Sequence, residues 1–70
     1  MNQTFIDRLY EEGQDLARRH GLLTRFIASD TFKSLPEHHK LLLKKQLAVM
    51  AEFGEILCIR HSILTAENAR

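Results

Sequence analysis

Two columns of apolar residues run along the second half of the chain. The first recurs every seven residues and comprises Leu35, Leu42, Val49, Ile56 and Ile63. The second has the same spacing and comprises Leu43, Met50, Leu57 and Leu64. On a helix these columns lie about 100° apart, with a mixed column between them that comprises His39, Gln46, Phe53 and Arg60. This surface is too broad for one partner helix, so we expect its burial to require more than one copy of the chain.

The rest of the pattern is also helical. A helix is predicted over about 4–28, because apolar positions recur there with spacings of three and four. This first seam comprises Ile6, Leu9, Gly13, Leu16, His20, Leu23 and Ile27. A turn is predicted over 29–34, where hydroxyl side chains and an Asp compete with helical hydrogen bonds, and Phe32 is expected to close the end of the core. Ser34, with Pro36 and Glu37 behind it, predicts a capping box that opens a second helix over about 35–65.

Two long helices with a short connection predict an all-α fold. Residues 1–70 are expected to form one antiparallel helical hairpin that assembles into an oligomeric bundle. The second helix is expected to outrun the first, which leaves its last turns, with Ile59, Ile63 and Leu64, without a partner in the same chain. The predicted oligomer interface comprises Leu42, Val49, Met50, Ile56, Leu57, Ile63 and Leu64.

Composition supports assembly and gives little support for catalysis. A 70-residue domain has a small core, and its single cysteine excludes an internal disulfide. That residue, Cys58, is expected to be a small buried hydrophobe in a reducing compartment. The sequence has no catalytic arrangement, no phosphate loop and no zinc spacing, so we predict a non-enzyme with no cofactor and no metal. With no signal peptide or membrane span visible, the expected location is the cytoplasm.

Charge is distributed unevenly along the chain. Residues 1–17 set one basic residue against four acidic ones, whereas 18–45 set seven basic residues against two acidic ones. If 18–25 lie opposite roughly 38–45 in the hairpin, a positive end forms near the connection. The candidate ligand-binding residues are Arg18, Arg25, Phe32, Lys33, Lys40 and Lys44. The basic side chains would neutralise phosphates, and Phe32 or Tyr10 could stack on a base. The alternative is a solvated surface.

Other candidate features point less clearly to a function. A duplex nucleic acid is a poor partner, because the sequence pI is only about 8.0 and no aromatic residues alternate with the basic ones. His38 and His39 are neighbours that point about 100° apart, which is a poor arrangement for binding a metal. His20 is expected to be a hydrogen-bonded interface residue. Gly13 either lets another helix approach closely or is a weak position in the first helix.

The stretch from Phe26 to Leu57 resembles short helical proteins of tailed phages and prophages, in a family labelled after a crAss-like phage. The resemblance lies in FIASDTFKSL at 26–35, LLKKQLAVM at 42–50 and the Ile56–Leu57 pair. It implies an accessory phage protein, of a kind that often oligomerises and sequesters cyclic or linear nucleotide signals of host defence. Such a protein would act in the cytoplasm of an infected or lysogenic host. The alternative function is an interaction module that inhibits a host or phage protein through its apolar face.

Overall fold

The computed structural model describes residues 3–68, which form three helices. They are α1 (Gln3–Ile27), α2 (Asp30–Lys33) and α3 (Glu37–Asn68). Helices α1 and α3 pack against each other lengthwise, which gives a rod with principal extents of 53 × 14 × 13 Å. The predicted all-helical architecture is confirmed, and no strand occurs between residues 3 and 68. In the same range, no helix is long and apolar enough to cross a membrane.

The contact between α1 and α3 uses one stripe of each helix. On α1 every member of the predicted first seam is buried or half-buried, with Ile6 and Leu9 each only 4% exposed. On α3 the matching positions again follow spacings of three and four. This inner seam of α3 comprises Lys40, Leu43, Leu47, Met50, Gly54, Leu57, His61 and Leu64. The second apolar column therefore faces α1, while Leu42, Val49, Ile56 and Ile63 of the first column remain exposed.

Three contacts define the register of the hairpin. Asn68 donates a hydrogen bond from its side-chain amide to the Gln3 side-chain oxygen over 3.4 Å. The rings of Tyr10 and His61 lie 5.5 Å apart, centroid to centroid. A Cβ built on Gly54 would lie 3.8 Å from a methyl group of Leu16. Each step back along α1 therefore corresponds to one step forward along α3.

This register corrects the expectation that the last turns of α3 lack a partner. The end of α3 lies beside the beginning of α1, as the contact between Asn68 and Gln3 shows. The surplus length of α3 is instead at its beginning, because α1 ends at Ile27 and no residue of α1 remains to pair with the first turns of α3. Helix α2 lies in the connection at that end of the hairpin.

The connection contains the short helix α2, which the sequence pattern did not predict. The Ser29 hydroxyl accepts a hydrogen bond from the Phe32 amide at 3.3 Å and thereby caps α2. The Ser34 hydroxyl donates to the Thr31 carbonyl over 2.7 Å. The predicted capping box of α3 is therefore wrong, because Ser34 closes α2 and α3 begins at Glu37. Phe32 is only 5% exposed, so its predicted role in closing the core is confirmed.

Two smaller expectations are also settled by the packing. Cys58 is exposed, contrary to the expected burial, because it follows the inward-facing Leu57 by one residue and so points about 100° away from it. A Cβ on Gly13 would meet nothing within 4 Å, so no close helix approach within the chain requires this glycine. The glycine of the inner seam that does face a neighbouring side chain is Gly54.

Candidate ligand-binding and docking surfaces

The predicted basic residues are spread along the hairpin. Arg18 and Arg25 line one shallow depression on α1, together with Ala17, Gly21 and Leu22. The register places this part of α1 opposite about 46–53, not opposite 38–45 as the sequence suggested. That expectation is corrected because α2 and its flanking residues lengthen the connection and shift the pairing. Lys33, Lys40 and Lys44 remain at the connection, near the N-terminal turns of α3.

At the connection, acidic neighbours already pair with some of the lysines. The Lys33 ammonium lies 3.6 Å from the Asp30 carboxylate. The Lys40 ammonium lies 3.2 Å from the Glu37 carboxylate, and its side chain is only 22% exposed. Lys44 has no carboxylate partner in the part of the chain that the structure describes. It is therefore the lysine of this group with the most charge available for an anion.

Lys44 also contacts an aromatic group, although that group is buried. Its ammonium lies 6.0 Å from the centroid of the Phe32 ring, which is at the outer limit of a cation–π contact. The Phe32 ring packs edge-on against Phe26, with centroids 6.2 Å apart. This packing does not favour the predicted stacking of a base on Phe32. Tyr10, which is 54% exposed, has the more accessible ring.

The arginines on α1 differ in how far their charge is neutralised. Arg18 forms an ion pair with Asp15, and Arg19 approaches the same carboxylate to 2.9 Å. Arg25 has no acidic partner among residues 3–68. Surface ion pairs of this kind contribute only about 0–1 kcal/mol and exchange readily, so Arg18 can still turn towards a phosphate. The depression on α1 therefore offers one free and one weakly held guanidinium.

One cationic pair was not evident from the sequence. Arg8 and Arg60 line a common depression with Phe5, Leu9 and Glu12. These arginines lie far apart in the sequence, and both fall outside the basic stretch 18–45. The antiparallel register brings them together. They lie close together because the seams of α1 and α3 pair. Adding up charges along stretches of sequence cannot predict such a pairing.

A second stripe along α3 carries exposed apolar side chains. This outer seam comprises Leu42, Gln46, Val49, Phe53, Ile56, Arg60 and Ile63, with spacings of three and four. Its apolar side chains are between 43% and 63% exposed. Of the predicted interface, Leu57 is buried in the inner seam, and Met50 and Leu64 are half-buried there, so in this hairpin these three residues face α1. The oligomer interface stays a prediction; its members Leu42, Val49, Ile56 and Ile63 are exposed, and Phe53 between them is exposed as well.

Two histidines lie in the seams that pack α1 against α3, and the other two lie in the first turn of α3. The His38 and His39 rings lie 4.2 Å apart at a tilt of 39°. His20 and His61 are half-buried inner-contact residues, and His61 packs against Tyr10. Among residues 3–68 there is no group of three or more His, Cys, Asp or Glu side chains that could hold a metal ion.

Comparison with known proteins connects this geometry to a family. A family model described as Sequestin matches residues 3–63. The chain belongs to the Sequestin family. The match spans α1, α2 and most of α3, and it includes the outer seam and all of the candidate cations. The family name is compatible with a protein that binds and sequesters and that does not catalyse a reaction. No curated protein and no solved structure matches the chain.

Proposed function

We propose that this protein is a non-enzymatic phage accessory protein that binds and sequesters a nucleotide-type signal of host defence. The observation that carries the proposal is the Sequestin match over residues 3–63, which covers nearly the whole chain. Sequestration by binding needs cations for the phosphates, an exposed ring or apolar surface for the base, and no reacting groups. The location that follows is the cytoplasm of an infected or lysogenic bacterial host.

The cations that support ligand binding fall into two groups. Lys44 lies at the connection with Lys33 and Lys40, while Arg25 lies with Arg18 in the depression on α1. We propose that the free charges, Lys44 and Arg25, contribute most to phosphate binding. A ligand that contacts both has to span α1 and α3, and we propose that it does so at an intersubunit site of a homo-oligomer. A cyclic or linear nucleotide fits this requirement, since its phosphates and base are spread over several ångströms.

Calorimetric titration with a panel of cyclic oligonucleotides and adenine–ribose nucleotides tests the proposal. We expect saturable binding that falls at least about tenfold in Lys44→Ala or Arg25→Ala, since each loses about 1.5–3 kcal/mol of charged hydrogen bonding. The matched control is Lys45→Ala, which removes the adjacent lysine on α3. No heat with any nucleotide, or equal losses for Lys44→Ala and Lys45→Ala, would contradict the proposed site.

The exposure of the outer seam supports a second candidate function. In this alternative the protein inhibits a host or phage protein by docking a partner helix along Val49, Phe53 and Ile56. It predicts a monomeric hairpin in isolation, because the seam stays free until the partner arrives. Light scattering of the purified protein separates the two candidates: a closed homo-oligomer favours sequestration, and a monomer favours the interaction module.

A further inference from the structure

The outer seam of α3 has the same polar and apolar order in both directions. Extended by one position at each end, it begins with His39 and ends with Glu67. The intervening positions are, in order, Leu42, Gln46, Val49, Phe53, Ile56, Arg60 and Ile63. Phe53 is the centre, and each apolar or polar member on one side has a counterpart of the same class on the other. A two-fold axis through Phe53 therefore matches the stripe with itself.

We propose that two copies of the chain dock antiparallel through their outer seams, with the two-fold axis at Phe53. The pairing places Leu42 against Ile63 of the second copy, and Val49 against Ile56. It also places Gln46 against Arg60, so that the polar members meet each other and not an apolar side chain. This proposal specifies the geometry of the homo-oligomer in the proposed function and rests on that oligomer.

Charge complementarity favours the antiparallel arrangement over the parallel one. In the antiparallel pair the Gln46 amide oxygen can accept a hydrogen bond from the Arg60 guanidinium of the second copy. At each end, the His39 imidazole faces the Glu67 carboxylate of the second copy. A parallel, in-register pair would instead set Arg60 against Arg60 and Glu67 against Glu67, which is repulsive. Because the axis also places Phe53 against Phe53, the centre of the antiparallel contact is aromatic.

The hairpin exposes more surface than a compact monomer of the same mass, by about the area that one partner contributes to a standard interface. The chain exposes 5528 Å². A compact monomer of 8.1 kDa is expected to expose about 4,500 Å². The excess is on the order of 1,000 Å², and a standard protein interface takes about 800 Å² from each partner. This excess follows from the rod shape of the hairpin, and the exposed apolar side chains of the outer seam are the part of it that a second copy would cover in the proposed dimer.

Cysteine pairs test the register directly. In the full chain with Cys58→Ser, we expect an equal mixture of Gln46→Cys and Arg60→Cys chains to form a mixed disulfide under mild oxidation. Each variant alone should remain uncrosslinked, because the two copies of position 46 lie about 20 Å apart around the axis and a disulfide needs Cα atoms within about 7 Å. A mixture of Gln14→Cys and Arg60→Cys is the matched control, since Gln14 lies on α1 away from the seam.

The outcomes separate the possible arrangements. Mixed 46–60 disulfides without self-linking support the proposal. Self-linking of Gln46→Cys chains indicates a parallel pair and overturns it. A monomeric mass in light scattering overturns it as well, and so does a dimer in which 46 and 60 fail to link. No ligand is used, so this register can fail while nucleotide binding persists, and nucleotide binding can fail while the 46–60 link forms.

Charge substitution gives a second test that keeps the apolar residues intact. Gln46→Glu adds two Glu–Arg pairs to each dimer, so we expect its dissociation constant to fall roughly two- to thirtyfold. Gln46→Lys should raise the constant over a similar range, because the introduced ammonium would oppose the Arg60 guanidinium of the second copy. Gln14→Lys adds the same charge on α1 and should leave the constant unchanged. Equal effects of Gln46→Lys and Gln14→Lys would contradict the pairing of Gln46 with Arg60.

Discussion

Adjacent residues of α3, Ile56 and Leu57, should differ sharply when replaced by alanine. Leu57 is 2% exposed in the inner seam, whereas Ile56 is 53% exposed in the outer seam. Truncating a fully buried leucine costs about 2–5 kcal/mol, from lost transfer free energy and the cavity left behind. A domain of this length has a total stability of roughly 4–10 kcal/mol. Leu57→Ala therefore removes a large share of the free energy of unfolding of the hairpin itself.

Ile56→Ala should leave the hairpin almost unchanged. Full burial of an isoleucine is worth about 1.5–3 kcal/mol, and in the hairpin about half of the Ile56 side chain is already exposed to solvent. Alanine also regains several tenths of a kcal/mol in helix propensity. The net loss in the monomer is therefore about 0.5 kcal/mol. In a dimer two such side chains are lost from the interface, so the dissociation constant should rise at least about thirtyfold, which corresponds to about 2 kcal/mol.

Chemical denaturation followed by circular dichroism checks this pair of variants over a roughly hundredfold range of protein concentration. Leu57→Ala should lower the denaturation midpoint at every concentration. Ile56→Ala should match the wild-type chain at the lowest concentration and fall behind it as concentration rises. If Ile56→Ala is as damaging as Leu57→Ala under dilute conditions, the assignment of the two columns to separate faces is refuted.

Two further substitutions test the hairpin contact. Gly54→Ala should raise the free energy of unfolding by about 0.5–1 kcal/mol, because helix propensity improves and the added methyl lies in ordinary contact 3.8 Å from Leu16. A lower thermal midpoint would show that the two helices leave no room for this methyl group. Phe32→Ala should cost about 3–5 kcal/mol, since this buried ring closes the core at the connection. Leu22→Ala, at a position 58% exposed, is its control, and equal thermal shifts for the two variants would contradict that role.

Periodicity predicted the helical elements and the α1 side of the contact well. The spacing from Ile6 to Ile27 identifies every residue of that seam, because a helix that packs on one partner needs a single narrow stripe. Periodicity also identified both columns of α3. It did not show which column faces α1, because either column could do so when α3 is considered alone. The inner seam became evident only with its less apolar members, such as Lys40, Gly54 and His61.

The register and the candidate ligand site were predicted less well. Both depend on the number of residues in the connection, and the connection contains α2, held by local hydrogen bonds of Ser29 and Ser34. Such a short helix has no periodicity to detect. The shifted pairing moved Arg18 away from Lys40 and Lys44, and it brought Arg8 and Arg60 to a common depression. The expected burial of Cys58 was wrong for a related reason. Its neighbours in sequence are apolar, but they lie on different faces of α3.

The central claim, that the protein binds a nucleotide and keeps it intact, is tested most directly by titration followed by release. The nucleotide panel is titrated calorimetrically into the purified protein, and the bound ligand is then recovered by heat denaturation and compared by mass with the input. We expect saturable binding of at least one nucleotide and recovery of that nucleotide with its mass unchanged. Absence of binding across the panel, or recovery of a cleaved or modified product, would contradict it.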